Sequence, residues 1–314
     1  MRVWAIPPEA GAASPSRAHT PVHRAVSFDL SGSPVHWLPD DVYSSHLING
    51  IHLLLPAGEL WFCRLYNRAL PLITDERLKA EVEAFIRQEG THARAHRRGE
   101  QWLRDNGYDV TDVRRRVDHL FEHYFGDRPL GSALLERLIP EEQWLIFRLG
   151  HVAAVEHFTG LLGDWALNSE GWDRGDPVVA ELFRWHLAEE VEHRSVAFDL
   201  YEHLCRTRGG FQLGRAAIMT WVVPLMLYFI FDAGRALARQ DPDPRAGKVA
   251  RRALLRLILE LEPRGRTTGH VPRLSFLARR TLRWFTPGFH PEGEGDTEQA
   301  LAFLARSPVV REGR

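Results

Sequence analysis

The stretch that decides the fold is His186-Leu-Ala-Glu-Glu-Val-Glu-His193. At about 100° per residue of α-helix, His186, Glu190 and His193 fall within about 60° of one another. Two imidazoles and one carboxylate therefore project from one stripe of a helix. Such a stripe presents three ligands to a metal ion without bending the backbone, so other segments of the chain must supply the remaining ligands.

The composition is typical of a folded protein with no strong net charge. The chain has 314 residues, of which 44% are hydrophobic and 26% charged, enough for a large buried core. Lys and Arg number 40 against 41 Asp and Glu, so no basic excess predicts a nucleic acid as partner. Cys63 and Cys205 cannot form a disulfide framework, and no apolar signal segment opens the chain, so we expect a cytoplasmic protein.

Hydrophobic periodicity and helix punctuation predict an all-α chain. A helix should begin near Ser44 or Ser45 as a cap, and Pro56 should kink or restart it. A long apolar helix is predicted over residues 141–167 and a further one over 178–206. We find no pattern typical of a pair of strands.

This pattern predicts one large helical domain with a tail at each end. Residues 1–27, rich in Pro, Ala, Ser and Gly, should form a loose tail. The expected divisions are a metal-binding domain over 28–295, with a four-helix core over about 44–206 and added helices over about 211–285, and a C-terminal tail over 296–314 with one short helix.

Four of the predicted helices each carry a carboxylate that could face inward. In chain order these motifs are Glu59, Glu89-x-x-His92, Glu156 and Glu190-x-x-His193. The first pair of carboxylates is 30 residues apart (89 − 59) and the second pair 34 (190 − 156), which indicates a duplicated helical hairpin. This order is the ligand set that ferritin-like bundles place around two metal ions.

The residue types suit that chemistry. Four carboxylates cancel the charge of two divalent ions, and oxygen-rich ligation with a few nitrogens suits iron or manganese better than zinc. We therefore expect two metal ions, with iron favoured and manganese or zinc as alternatives. The expected ligands are Glu59, Glu89, His92, Glu156, Glu190 and His193, with His186 as a seventh. The alternative is that these side chains form a solvated face or an ion-pair network.

Two residues beside the expected ligands have a second interpretation. Glu189 competes with Glu190 for the same role, but only Glu190 repeats the three-residue spacing to a histidine. His157 follows Glu156 and points about 100° away from it, so it belongs either to the core or to a layer that supports the ligands.

Two further residues are placed by helical spacing. His96 lies one turn beyond His92 and is expected to support the ligands through a hydrogen bond. Tyr66 lies two turns beyond Glu59, where it is either a redox or hydrogen-bonding neighbour of the metals or an ordinary core residue.

Two glycines follow Glu156 on its own face of the helix. Gly160 and Gly163 lie one and two turns beyond it. Small residues there would either leave room for a substrate beside the metals or allow close packing of a neighbouring helix, and the sequence leaves both open.

An uncharged stretch follows the metal-binding motifs. Residues 216–231 contain no charge and are interrupted by Pro224, whereas a transmembrane helix needs about 20 apolar residues. The stretch is therefore expected to be a buried helix, with peripheral membrane contact over a lipid-like substrate as the alternative. Basic residues within 251–256 and 279–283 would favour an anionic surface.

These motifs resemble those of a bacterial family called predicted metal-dependent hydrolases. The residues that carry the resemblance are Pro56-x-Gly58-Glu59, Gln88-Glu89-x-x-His92, Glu156-His157, Trp185-His186-x-x-Glu189-Glu190-x-Glu192-His193 and Pro287-Gly-Phe-His-Pro291. The resemblance covers about residues 30–295 and implies a metal-dependent enzyme. The spacing His186-x3-Glu190-x2-His193 is also similar to that of di-iron arylamine N-oxygenases, which implies oxygen chemistry.

Three functions follow as expectations. The first is a di-iron enzyme that uses O2 to oxidise or oxygenate a small, apolar organic substrate. The second is a hydrolase that uses a metal-activated water. The third is a non-enzymatic metal-binding protein. A homodimer is an open expectation for all three.

Overall fold

The computed structural model describes residues 19–205 and 207–312, and within these ranges the chain is all-α, as predicted. The only strands among the described residues are Arg24–Ala25 (β1) and Arg311–Glu312 (β2), which pair antiparallel with each other. The short pair joins the two ends of the described chain and was not predicted, because two-residue strands have no hydrophobic alternation.

The helices fall into an N-terminal set and a C-terminal set. The first set is α1 (Val42–Asn49), α2 (Leu55–Ala69), α3 (Glu76–Asp105), α4 (Thr111–His119), α5 (Ala133–Leu138), α6 (Glu141–Leu167), α7 (Pro177–His193) and α8 (Val196–Leu204). The second set is α9 (Arg208–Ala238), α10 (Pro244–Ala250), α11 (Leu254–Leu259), α12 (Leu261–Thr267), α13 (Leu274–Arg283) and α14 (Thr297–Arg306).

Two helical hairpins form the centre of the molecule. Helix α2 packs along α3, and α6 packs along α7. The hairpins meet where α2 contacts α6 and where α3 contacts α7 and α8. This is the duplicated arrangement that the motif order predicts, while its assignment to the ferritin-like class stays a prediction.

Helix punctuation is partly as expected. Pro56 is the second residue of α2, where its missing N–H is not needed, so it restarts the helix. The cap of α1 is Asp41 and not Ser44 or Ser45, because the Asp41 carboxylate accepts the Ser44 backbone N–H at 3.1 Å. The Ser44 hydroxyl donates to the same carboxylate at 2.7 Å.

The single helix predicted over 178–206 is wrong, because the chain breaks between α7 and α8. The Arg194 guanidinium donates to the carbonyl of Val191 at 2.5 Å. In a continuous helix this carbonyl would accept the backbone N–H of the residue four positions later. The same side chain donates to the carbonyls of Pro291 at 3.1 Å and Glu292 at 2.9 Å. A contact with a distant segment therefore ends α7.

Both ends of the described chain pack on the bundle. A loose tail was expected over 1–27, and residues 1–18 of it lie outside the described residues. The described remainder, from residue 19 to residue 27, is not a loose tail. Arg24 is 7% exposed and forms an ion pair with Glu192 at 2.6 Å. In the expected C-terminal tail, α14 contacts α7 and buries Ala300 and Leu304, so this segment also belongs to the core.

Helix α9 contains the uncharged stretch 216–231 and packs against α1 and α6. By length and composition it is the one helix in the described chain that is long and apolar enough to cross a membrane. In its most apolar 18-residue stretch, 28% is buried. Val222 and Phe231 are buried against the bundle, whereas Leu213 is 76% exposed and Tyr228 43% exposed. One face of α9 is thus a core face, and membrane contact through the other stays a prediction.

Gly160 and Gly163 allow α6 and α7 to approach closely. A Cβ atom on Gly163 would lie 2.3 Å from the Leu187 carbonyl oxygen, and one on Gly160 would lie 3.0 Å from Cβ of Arg194. Both glycines therefore serve helix packing, and the alternative of space for a substrate at these two positions is excluded.

We expect Gly163→Ala to destabilise the fold by about 1–3 kcal/mol, because the added methyl group has no room between the two helices. The measurement is the free energy of unfolding from urea denaturation. Gly209→Ala on α9 is the control, since a Cβ atom there meets nothing within 4 Å. Equal stabilities of the two variants would contradict the packing described for α6 and α7.

Candidate metal centre

Seven buried side chains from α2, α3, α6 and α7 converge between the two hairpins. None is more than 3% exposed. They are the residues expected as ligands from the sequence: Glu59, Glu89, His92, Glu156, His186, Glu190 and His193. The structure brings all of them together, and their binding of metal stays a prediction.

One half of the cluster is centred on His193. A donor atom from each of four residues lies within 4.8 Å of the others, which is the reach of a single ion. The distances from His193 Nε2 are 3.1 Å to Glu156 Oε2, 3.2 Å to Glu190 Oε2 and 3.4 Å to Glu89 Oε1.

The other half is centred on His92. Its Nδ1 atom lies 3.3 Å from Glu89 Oε1 and 3.3 Å from Glu190 Oε1. His186 Nε2 lies 2.7 Å from Glu190 Oε1 and 3.7 Å from Glu59 Oε1. Glu89 and Glu190 belong to both halves, so each stands where a carboxylate could bridge two ions.

Unsatisfied polar atoms make the cluster a fit for cations. Within the described chain, neither oxygen of Glu59 or Glu89 has a hydrogen-bond donor, and His92 Nδ1 also lacks a hydrogen-bond partner. Buried carboxylates without partners are costly. Burial raises the pKa of Glu59 well above its ordinary value, and the nearby Glu89 raises it further. Two divalent cations would remove both costs.

Each of the three imidazoles also contacts a partner through its second ring nitrogen, the one that does not face the carboxylates of the cluster. A second partner of this kind fixes the orientation of a metal-binding ring and is a usual feature of histidine ligands. The three pairs are His92 Nε2 with Glu189 Oε2 at 3.0 Å, His193 Nδ1 with Gln88 Oε1 at 2.9 Å, and His186 Nδ1 with His96 Nε2 at 2.5 Å.

Glu189 and Gln88 are held in turn by the N-terminal segment. Gln88 Nε2 donates to Glu192 at 2.8 Å, and Arg24 donates to Glu192 at 2.6 Å and to Glu189 at 3.1 Å. We assigned no role to Gln88, Glu192 or Arg24 from the sequence. Gln88 and Glu192 lie inside the two motifs and could have been found there, whereas Arg24 lies in a segment without periodicity.

A chain of imidazoles extends from His186 away from the carboxylates. His96 Nδ1 lies 2.7 Å from Nδ1 of His52, a residue that the sequence did not single out. Burial lowers the pKa of His52 to about 3 and that of His96 well below its ordinary value, so both rings are neutral. Gly99 leaves the space for this contact, since a Cβ atom there would lie 2.4 Å from His52 Nδ1.

His157 and Tyr66 lie in aromatic surroundings. The His157 ring packs against Trp284 and Phe289, with centroids 5.2 Å and 5.1 Å apart, which matches the core alternative. Tyr66 packs against Phe85 at 4.7 Å, and its hydroxyl has no hydrogen-bond partner among the described residues. Burial raises the pKa of Tyr66 well above its ordinary value, and the carboxylate of Glu156 raises it further.

A second group of metal-type donors lies outside this cluster. His36 and His46 both contact Oδ2 of Asp241, the latter at 2.5 Å, and the Tyr108 hydroxyl donates to the same atom at 3.1 Å. Although burial opposes it, the backbone N–H of Asp243 and the two imidazoles lower the pKa of Asp241 to about 2. An ionised Asp241 with three donors needs no metal, so this group ties α1 to the end of α9.

A cavity of about 540 Å³ opens beside the cluster. Glu59, Glu156, His186 and Glu190 form part of its wall, and most of the remaining wall is apolar. A substrate in the cavity would therefore have access to the side chains that are candidate metal ligands.

A family model described as predicted metal-dependent hydrolase matches residues 22–295, so the chain belongs to this family. The match confirms the resemblance read from the motifs. No curated protein and no solved structure matches the chain significantly. The likeness of the site to ferritin-like centres and to di-iron N-oxygenases stays a prediction.

We expect Gln88→Leu to weaken metal binding by about 10–100-fold, because the His193 ring loses the partner that orients it. The measurement is a titration with Mn²⁺ against a competing chelator, with circular dichroism to verify folding. Gln101→Leu on the same helix is the control, since Gln101 is exposed and hydrogen-bonds to Asp105. Equal affinities of the two variants would contradict the role of Gln88.

Proposed function

Starting from membership of the metal-dependent hydrolase family, we propose that the chain is a hydrolase with two divalent ions at the buried cluster. The observation that supports this most directly is the position of Glu89 and Glu190 in both halves of the cluster. Glu156 and His193 complete one half. The other is completed by Glu59, His92 and His186.

Two divalent ions bound at these residues would supply a water of lowered pKa as nucleophile and would polarise the scissile group. The protein's own contribution is geometric and electrostatic. Glu189 and Gln88 hold two of the imidazoles in place, and the four carboxylates balance the charge of two ions. The apolar wall of the cavity would limit the access of bulk water to the reacting groups.

The second candidate function is oxidation of an apolar substrate, with O2 as the electron acceptor. It is favoured by the donor set, in which four carboxylates and three imidazoles occur without a thiolate. Such a set suits iron or manganese better than zinc. We propose iron as the metal of this second function, and manganese or zinc as the metal of the hydrolase.

The two functions are separated by loading the metal-free protein anaerobically with Fe²⁺, Mn²⁺ or Zn²⁺ and assaying each form twice. The first assay follows hydrolysis of chromogenic esters and amides, and the second follows O2 uptake and visible absorption after exposure to air. The hydrolase proposal predicts hydrolysis and no O2 uptake. Uptake of O2 with a transient chromophore and no hydrolysis would replace it with the oxidase.

We expect Glu156→Ala to lose at least one of the two ions, because Glu156 contacts His193 and no other carboxylate replaces it on α6 at that point. Metal content per chain is measured by mass spectrometry after gel filtration. Glu202→Ala on the exposed surface of α8 is the control. Unchanged metal content in Glu156→Ala would remove Glu156 from the ligands.

A further inference from the structure

The cavity beside the cluster has a wall that the hydrolysis itself does not explain. Besides the metal-binding residues, its wall includes residues of α1, α9 and α13, among them Leu47, Met226 and Leu277. On α9 the lining residues run from Val222 to Phe231, which is about 14 Å of helix axis at about 1.5 Å per residue. A cavity of about 540 Å³ that follows this length of helix is extended and not compact.

Apart from the cluster the wall is mostly apolar, and its other polar side chains include His151, Thr159, His270 and Thr281. Among the described residues that line it there is no Lys, Arg or Asp, and its only carboxylates are the four glutamates of the cluster. On α9, Val222, Met226 and Ile230 recur every four residues, so one side of the 222–230 part of this helix faces the cavity. A ligand with a charged group away from the cluster would find no Lys, Arg, Asp or Glu there as an ionic partner.

We infer that the cavity takes the unbranched acyl chain of an ester, with the ester group at Glu59, Glu156 and Glu190. The reaction rests on the proposed hydrolase function, but the binding of the chain does not. Hydrolysis breaks the bond between the acyl carbon and the ester oxygen. The hydroxyl group of water joins the acyl carbon to give the carboxylic acid, and the other proton of water joins the released ester oxygen to give the alcohol.

Chain binding is tested with neutral n-alkanols of increasing length, kept below the concentration at which they aggregate. The protein is used with its bound metals, and affinity is measured by calorimetry. Each added methylene should raise the affinity about fourfold, up to the length that fills the cavity, because burial of one CH2 is worth about 0.8 kcal/mol. Affinity that does not depend on chain length overturns the inference.

Two variants of α9 locate the chain. Met226→Trp fills part of the cavity and should lower the longest accepted chain by several methylenes, whereas Leu213→Trp, at a residue that is 76% exposed, should not. Val223→Phe, also in the cavity wall, serves if Met226→Trp does not fold. An unchanged length limit in the folded cavity variant contradicts the inference.

A parallel series of chromogenic esters separates this inference from the proposed function. Alkanol binding that rises with chain length, without hydrolysis of any ester, supports the inference and removes the hydrolase. Hydrolysis of short esters, together with alkanol binding that does not depend on chain length, supports the hydrolase and contradicts the inference. Sedimentation with phosphatidylcholine vesicles then distinguishes a chain drawn from a membrane from one taken from solution, and either source supports the inference.

Discussion

Four carboxylates buried within a few ångströms of one another are the constraint on which the rest of the structure depends. Their mutual repulsion and their loss of hydration both oppose folding. Three imidazoles offset part of this cost, but Glu59 and Glu89 find no hydrogen-bond donor within the described chain. In the proposed dinuclear centre, two cations would supply the positive charge that these carboxylates lack, and the outer partners of His92 and His193 orient the two rings.

The helices beyond the two hairpins give the cluster its surroundings. Helices α9 and α13 supply much of the apolar wall of the cavity, which the hairpins alone would leave open. Segments near both ends of the described chain also support the cluster. Arg24 donates hydrogen bonds to Glu189 and Glu192, and Arg194 connects the end of α7 to the turn at residues 291–293. The side chains that are candidate metal ligands are thus supported by segments from both ends of the described chain.

Much of the site was predictable because its signal is local. The repeated Glu and Glu-x-x-His motifs place the candidate ligands on the inner face of each helix, and α6 runs over the predicted range Glu141–Leu167. The break at Arg194, the anchor at Arg24 and the contact of His52 with His96 were not predictable in this way. Each depends on a contact between distant segments, and no periodicity or spacing in the sequence encodes such a contact.

The most direct test of the dinuclear centre is anomalous X-ray diffraction from crystals of the metal-loaded protein. The account predicts two peaks about 3.5–4 Å apart, the usual separation in two-metal sites, with Glu89 and Glu190 between them. Glu59, His92 and His186 should surround one peak, and Glu156 and His193 the other. A single peak at the cluster, or peaks only at His36, His46 and Asp241, would contradict the account.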